Sequence, residues 1–335
     1  MDWTKTTISA TIDFDAEGKH TGDLRLPWSG NEKPLGYHPV PVAVIKNGTG
    51  PTLLLAGGTH GDEYEGPAAL MQLLHSLDPV RLQGRLIIFP ALNAPAVTAG
   101  ARCSPLDDGN LNRAFPGNRT GGPTNMIARF IEDVVLPECD AAIDFHSGGN
   151  AYLFAPLAMV YLGAKSADNT SLELARAFNA PYLWSGRFAE QSTFNAAAMR
   201  RDIPMFATEL GGGGNVHPHM AQLAADGLLR VLRHLGMLDD TAGVPAAGNA
   251  PTNVEVSVNG KLHATTEGLF VPAVTLEQPV KPGDAAGKIY SVTELERAPS
   301  TFHFVEDGIV LSVVNRGMVN RGDLLVMAGK ISSRD

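Results

Sequence analysis

The stretch of this chain most able to do chemistry is Gly57-Gly58-Thr59-His60-Gly61-Asp62-Glu63, where an imidazole and a carboxylate stand three residues apart in a glycine frame. That spacing lets both side chains face one metal ion from the same turn. Hydrolytic zinc sites commonly take three ligands drawn from His and Glu and leave the fourth position to water. A third ligand is needed, and Asp144-Phe145-His146-Ser147-Gly148-Gly149 offers His146. Asp144, two residues earlier, is placed to orient that imidazole or to line the pocket. Alone, His60-x-x-Glu63 would equally describe a surface turn with solvated Asp62, Glu63 and Glu65, and His146 a satisfied core histidine. Their joint occurrence carries the metal reading: one Zn2+ held by His60, Glu63 and His146.

Thr208-Glu209-Leu210-Gly211-Gly212-Gly213-Gly214 adds a carboxylate followed by four glycines. Beside zinc, which lowers the pKa of bound water to about 7, a carboxylate can accept the water's proton and pass it to a leaving amine. Glu209 is read as that general base and acid, and the glycines as backbone able to approach substrate closely. Arg102 and the run Asn110-Leu111-Asn112-Arg113-Ala114-Phe115-Pro116-Gly117 supply what the ligands lack, cationic and amide groups able to hold a carboxylate or a developing oxyanion. His217-Pro218-His219 is a further metal option by residue type. Its place just before a long helical pattern fits a helix start or groups behind the ligands better.

These motifs need rigid elements behind them. Apolar runs at 42–45, 53–56, 86–89, 141–145 and 205–208 read as strands, and their lack of alternation fits a sheet covered on both faces. Helical patterns cover about 67–77, 127–135, 171–178, 194–200 and 220–235. The motifs therefore fall at strand ends, where open α/β sheets bind ligands. The residues before 42 read as an irregular start. From 239 to 251 a low-bulk, turn-rich stretch reads as a linker between a catalytic α/β domain, 1–240, and a small β-domain, 252–335. Short β-type runs at 254–258, 309–314 and 324–327 mark the latter. Two similar turns, Lys281-Pro282-Gly283-Asp284 and Asn320-Arg321-Gly322-Asp323, hint at a duplicated hairpin.

The bulk properties limit the alternatives. With 335 residues, 44% hydrophobic and 18% charged, the chain can bury a large core without disulfides. A net charge of -9 and the absence of a Lys/Arg block argue against nucleic acid and favour a small solute. Cys103 and Cys139 are too few for a disulfide framework or a thiolate zinc site, so both read as free thiols in a reducing compartment. The N-terminus lacks a signal-peptide pattern and no apolar run reaches the roughly 18 residues a membrane helix needs, so a cytoplasmic protein is expected.

Taken together, Gly58-Thr59-His60-Gly61-Asp62-Glu63, the Arg102 to Gly117 segment with its Leu-Asn-Arg-x-Phe-Pro-Gly ending, Asp144-Phe145-His146-Ser147 and Thr208-Glu209 resemble the succinylglutamate desuccinylase and aspartoacylase family, itself similar to zinc carboxypeptidases. Order and spacing agree across roughly 50 to 215. The resemblance implies a carboxypeptidase-like doubly wound mixed sheet with helices on both faces. It implies a single zinc on His60, Glu63 and His146 and Glu209 as base and acid. It further implies that Arg102 polarises the scissile carbonyl while Asn112 and Arg113 hold the α-carboxylate of an N-acyl amino acid. Many members have Asp where this chain has Asn110, a change expected to alter loop contacts rather than abolish chemistry. Length, the glycine run and the C-terminal β-domain look most like members that release acetate from an acetylated diamino acid. The β-domain looks like a lipoyl-type barrel without the Met-Lys-Met hairpin of a carrier. It would cap the site or mediate assembly, which leaves room for a homo-oligomer. A peptide-cleaving carboxypeptidase and a non-catalytic carboxylate-binding protein are the competing readings, and Glu209 speaks against the second because binding needs no general base.

Overall fold

The computed structural model describes residues 1–31, 33–239 and 243–332. In the first 215 residues the described strands are β1 (Ser9–Ala10), β2 (Gly18–Pro27), β3 (Tyr37–Asn47), β4 (Thr52–Gly57), β5 (Gly84–Phe89), β6 (Ala141–His146), β7 (Tyr152–Tyr161), β8 (Tyr182–Gly186) and β9 (Met205–Gly212). They alternate with helices α1 (Glu65–Ser76), α2 (Ala94–Ala99), α3 (Pro123–Phe130), α4 (Ala167–Phe178), α5 (Phe194–Arg200) and α6 (Pro218–His234). The sheet runs β1-β2-β3-β5-β4-β6-β9-β7-β8. Its centre, β5-β4-β6-β9, is parallel, while β3 and β7 flank it antiparallel.

The alternation of β-strand side chains explains why the apolar runs are continuous. Leu53 and Leu55 of β4 enter a core closed by α1, α4 and α6, whereas Leu54 and Ala56 enter one closed by α3 and α5. Both faces are covered, so neither set of residues can be polar. The helix expected over 127–135 starts earlier and changes pitch: α3 covers Pro123–Phe130, and the chain continues as a wider π-type turn, Ile131–Val135.

The irregular start is corrected by β2, which pairs with β3 over ten positions. It presents no apolar run because polar residues and glycines fill its first six positions and only Leu24 and Leu26 are buried. Strands β7 and β8 also went unread. β7 carries Pro156 at a register shift between Phe154 and Leu157, where the missing N–H costs the ladder little.

The C-terminal elements described after residue 243 are all strands: β10 (Thr252–Glu255), β11 (Lys261–His263), β12 (Gly268–Pro272), β13 (Pro279–Val280), β14 (Ala285–Tyr290), β15 (Ser300–His303), β16 (Gly308–Val314), β17 (Met318–Val319) and β18 (Leu324–Ile331). Of the expected linker, 240–242 lies outside the described residues, and 243–251 forms no helix or strand. The C-terminal strands are not a detached layer. β10 pairs parallel with β8, while β18 pairs antiparallel with β10, β16 with β18, and β16 with the start of β7, which itself pairs parallel with β8. These five strands close a ring, and Ala155, Leu157, Val254, Leu311 and Met327 pack together there. The remaining strands include a second sheet, β15-β14-β12-β17. The two Gly-Asp turns share one geometry: Asp284 accepts the Lys281 N–H and Asp323 the Asn320 N–H, both at 2.8 Å, with Gly283 and Gly322 at φ of 92° and 96°.

Candidate active site

Strands β4, β6 and β9 lie side by side and end together. The β4–α1 turn carries His60 and Glu63, while His146 closes β6 and stands opposite Glu209 of β9 in the parallel register. His60, Glu63 and His146 are each buried, and one ligand atom from each lies within 4.8 Å of the others. Among the described residues this is the one His/Cys/Asp/Glu group so arranged. His217 and His219 are not part of it; His217 Nε2 lies 2.8 Å from the Gly212 carbonyl oxygen, beside the start of α6.

The hydrogen bonds around the two imidazoles fix where their lone pairs point. His146 Nε2 is 2.7 Å from Asp144 Oδ2, and a carboxylate can only accept, so that ring nitrogen carries the proton. Nδ1 then faces Glu63 Oε2 at 2.7 Å with a lone pair, one acceptor against another. His60 repeats the pattern, with Nε2 3.2 Å from Asn110 Oδ1 and Nδ1 2.7 Å from Glu63 Oε1. Acceptors converging in this way suit a cation among them, and Arg102 Nη1 lies 3.3 Å from both His60 Nδ1 and Glu63 Oε1 at its edge. Two imidazoles and a carboxylate, each ring held from behind by an oxygen acceptor, form a donor set of the kind zinc takes in hydrolytic sites. The electrostatics show that the place is built for positive charge: burial disfavours a charge on His146, yet Asp144 and Glu63 outweigh it and raise its pKa well above the usual range, so Nδ1 takes either a second proton or a cation. Burial alone would raise Glu63, but the two histidines pull it far below the ordinary carboxylate value.

Asp144 is fully buried, and its second oxygen accepts the Thr59 hydroxyl at 2.7 Å. Thr59 had no role in the sequence reading; its place beside His60 was the available signal. Asn110 proves to be the oxygen behind His60, accepting through a neutral amide. Asp62 turns away from the ligands and accepts the Asn150 N–H at 2.8 Å, which pins the turn after His146.

Glu209 faces this centre from β9. Its Oε2 is buried without a hydrogen-bond partner, and burial, then the charge of Glu63, raises its pKa well above the usual carboxylate range. The glycines after it also serve packing. Gly212 sits at φ of 130°, and a Cβ there would lie 2.3 Å from the Tyr152 carbonyl oxygen. They let the end of β9 pack on the 148–152 turn.

Arg102 is half exposed, with Nη1 3.3 Å from Glu63 Oε1. The Asn112 carbonyl oxygen Oδ1 accepts the Phe194 N–H at 2.9 Å, which aims its amide nitrogen at the site, 3.2 Å from His146 Nε2. Arg113 lies at the rim and pairs with Glu190, its Nε 3.4 Å from Oε2. Tyr161, whose hydroxyl bonds Thr193, senses the charges of Arg113, His146 and Glu190, and burial raises its pKa. Phe188 stacks on its ring with centroids 4.1 Å apart. Tyr161, Glu190 and Thr193 were not singled out from the sequence, because no short motif surrounds them.

Residues 49–235 match the catalytic domain of the succinylglutamate desuccinylase/aspartoacylase family. The chain belongs to this family. Along its length it is 37% identical, over 97% of itself and 95% of the relative, to the N-alpha-acetyl-L-2,4-diaminobutyric acid deacetylase of Halomonas elongata. The product-bound structure of the ectoine utilization protein EutE from Ruegeria pomeroyi superposes with a TM-score of 0.94 at 36% identity, covering 97% of this chain and 99% of that one. A succinylglutamate desuccinylase/aspartoacylase from Rhodobacter sphaeroides gives 0.92 at 35% identity, covering 98% and 100%. The whole chain, C-terminal strands included, therefore has the architecture of these desuccinylase/aspartoacylase members. No described helix is long and apolar enough to cross a membrane.

Proposed function

We infer that this chain is a zinc-dependent deacylase that hydrolyses the amide of an N-acyl amino acid, with N-α-acetyl-L-2,4-diaminobutyrate as its substrate and acetate as one product. The observation that carries the reading is the convergence of His60 Nδ1, His146 Nδ1 and the Glu63 carboxylate beside an unpartnered Glu209, in a chain 37% identical to a diaminobutyric acid deacetylase. The matching coverage of both chains supports extending the relative's substrate to this one.

His60, Glu63 and His146 would hold the zinc, and when bound it supplies a Lewis acid and a water of lowered pKa. Glu209 takes the proton of the attacking water and returns it to the leaving nitrogen. A carboxyl whose environment favours the protonated form is suited to giving that proton back. Arg102 donates to the carbonyl oxygen as negative charge grows there; losing one such donor typically costs about 2.7 to 4 kcal/mol of barrier. Asn112 and Arg113 hold the substrate's α-carboxylate. Residues 252–335 are read as a β-domain of lipoyl-like form that braces the catalytic domain of 1–240.

The test is product analysis with the zinc-loaded protein on acetyldiaminobutyrate, acetylaspartate, succinylglutamate and a dipeptide panel. Acetate release from the first, well above the others, is expected. Preference for dipeptides would replace the reading with a carboxypeptidase.

A further inference from the structure

Of the rim pair of Arg113 and Glu190, the chemistry above uses Arg113 alone and leaves Glu190 without a task. Glu190 lies in the loop between β8 and α5, and its Oε1 is fixed by Ser192, which donates from its hydroxyl at 2.5 Å and its N–H at 3.1 Å. Those bonds, the hydroxyl first, hold the carboxyl below its ordinary pKa, so it is ionised at neutral pH. The loop is anchored to the Asn110–Gly117 run at Ser192 and again at Phe194: the Phe115 N–H donates to the Ser192 carbonyl at 3.2 Å, and the Phe194 N–H to Asn112. Glu190 is therefore a positioned anion at the edge of the site.

The other carboxylates around the cleft have partners or tasks. Glu63 and Asp144 face imidazoles, Asp62 holds the Asn150 N–H, and Glu209 is assigned to proton transfer. Glu190 faces a cation, half exposed, where an incoming ligand can compete for both. Two opposite charges 3.4 Å apart complement a ligand that carries two opposite charges of its own. An N-α-acetylated diamino acid is such a ligand, with an α-carboxylate and a side-chain ammonium, whereas acetylaspartate and succinylglutamate are anionic throughout.

We propose that Glu190 is the specificity-determining residue that receives the substrate's side-chain ammonium while Arg113 takes its α-carboxylate. The proposal rests on the deacylase reading and deepens it. Glu190 attracts a cationic side chain, is indifferent to a neutral one and repels an anionic one, so selection operates through binding more than through the chemical step.

The experiment compares wild type with Glu190→Gln and Glu190→Lys on acetyldiaminobutyrate, on acetylnorvaline, whose propyl side chain is its neutral isostere, and on acetylaspartate. Calorimetric titration with diaminobutyrate and norvaline adds a readout independent of turnover. Glu190→Gln is expected to lower the kcat/KM ratio of the cationic over the neutral substrate about tenfold or more, mainly through KM. It should narrow the affinity gap between the two free amino acids by a similar factor. Glu190→Lys should move preference toward acetylaspartate. Equal losses on cationic and neutral substrates, or an unchanged ratio, overturn the assignment of Glu190 while leaving the deacylase reading intact. A wild type that prefers acetylaspartate overturns the Glu190 assignment and the diaminobutyrate substrate, and one that hydrolyses none of the three removes the deacylase reading as well.

Discussion

Replacing Asp144 with Asn removes one charge from behind His146 and changes little else. Asp144 is fully buried, takes the Thr59 hydroxyl on Oδ1 at 2.7 Å and faces His146 Nε2 with Oδ2 at 2.7 Å. Asparagine can keep both bonds, its carbonyl to the ring N–H and its amide to a rotated Thr59 hydroxyl, so the fold should hold. What is lost is the anion that makes the imidazole a strong donor. Loss of such a partner typically weakens metal binding 10- to 100-fold, or about 1.4 to 2.7 kcal/mol. Asp144→Ala differs, because it strands the ring N–H and the hydroxyl in a dry site, adding a stability loss of about 1 to 3 kcal/mol for each. The assay is zinc titration against a competing chelator, with urea unfolding of the metal-free proteins alongside. Asp144→Asn should lose zinc affinity with only the small loss of metal-free stability that its charge on His146 contributes, and Asp144→Ala should lose zinc affinity and markedly more stability. Wild-type zinc affinity in a well-folded Asp144→Asn variant would refute the tautomer assignment and the donor set built on it.

Glu209→Gln should retain stoichiometric zinc by atomic absorption yet lose about 10²- to 10⁴-fold in kcat, since it removes the proton carrier and no ligand. Phe178→Ala should cost about 3 to 5 kcal/mol in denaturant unfolding, because Phe178 is fully buried between Phe145 and Phe206 at 6.1 and 5.4 Å. Burial pushes the Cys139 thiol up to about 12, and its Sγ donates to the Val135 carbonyl. At pH 8 it remains protonated, so alkylation of the native protein should label the half-buried Cys103 and reach Cys139 only after unfolding, as read by mass spectrometry of peptides.

The central strands were legible because β4, β5, β6 and β9 are covered on both faces and therefore apolar throughout, and the ligands were legible because they stand at those strands' ends. β2 was not, since a strand with polar residues on its exposed positions looks like loop. Nor was the role of Asn110: its amide oxygen matters through a contact with His60 fifty residues away, which no local pattern announces. Tyr161 and Glu190 reach the site from β7 and the β8–α5 loop, and only tertiary packing brings them there. The glycine run was legible as unusual, but its cause, the close carbonyl of Tyr152, was not.

The ring of β7, β8, β10, β18 and β16 has a consequence for how this protein can be recombined. A chain ended at 251 would keep every residue assigned to catalysis and still uncover the edges of β7 and β8, rows of unpaired N–H and C=O groups that invite another copy to add on. Grafting the C-terminal strands of a distant member would demand the same register at Tyr182 and Phe154, a requirement on pairing that sequence identity at the metal ligands does not meet. The natural unit of exchange is therefore the whole chain.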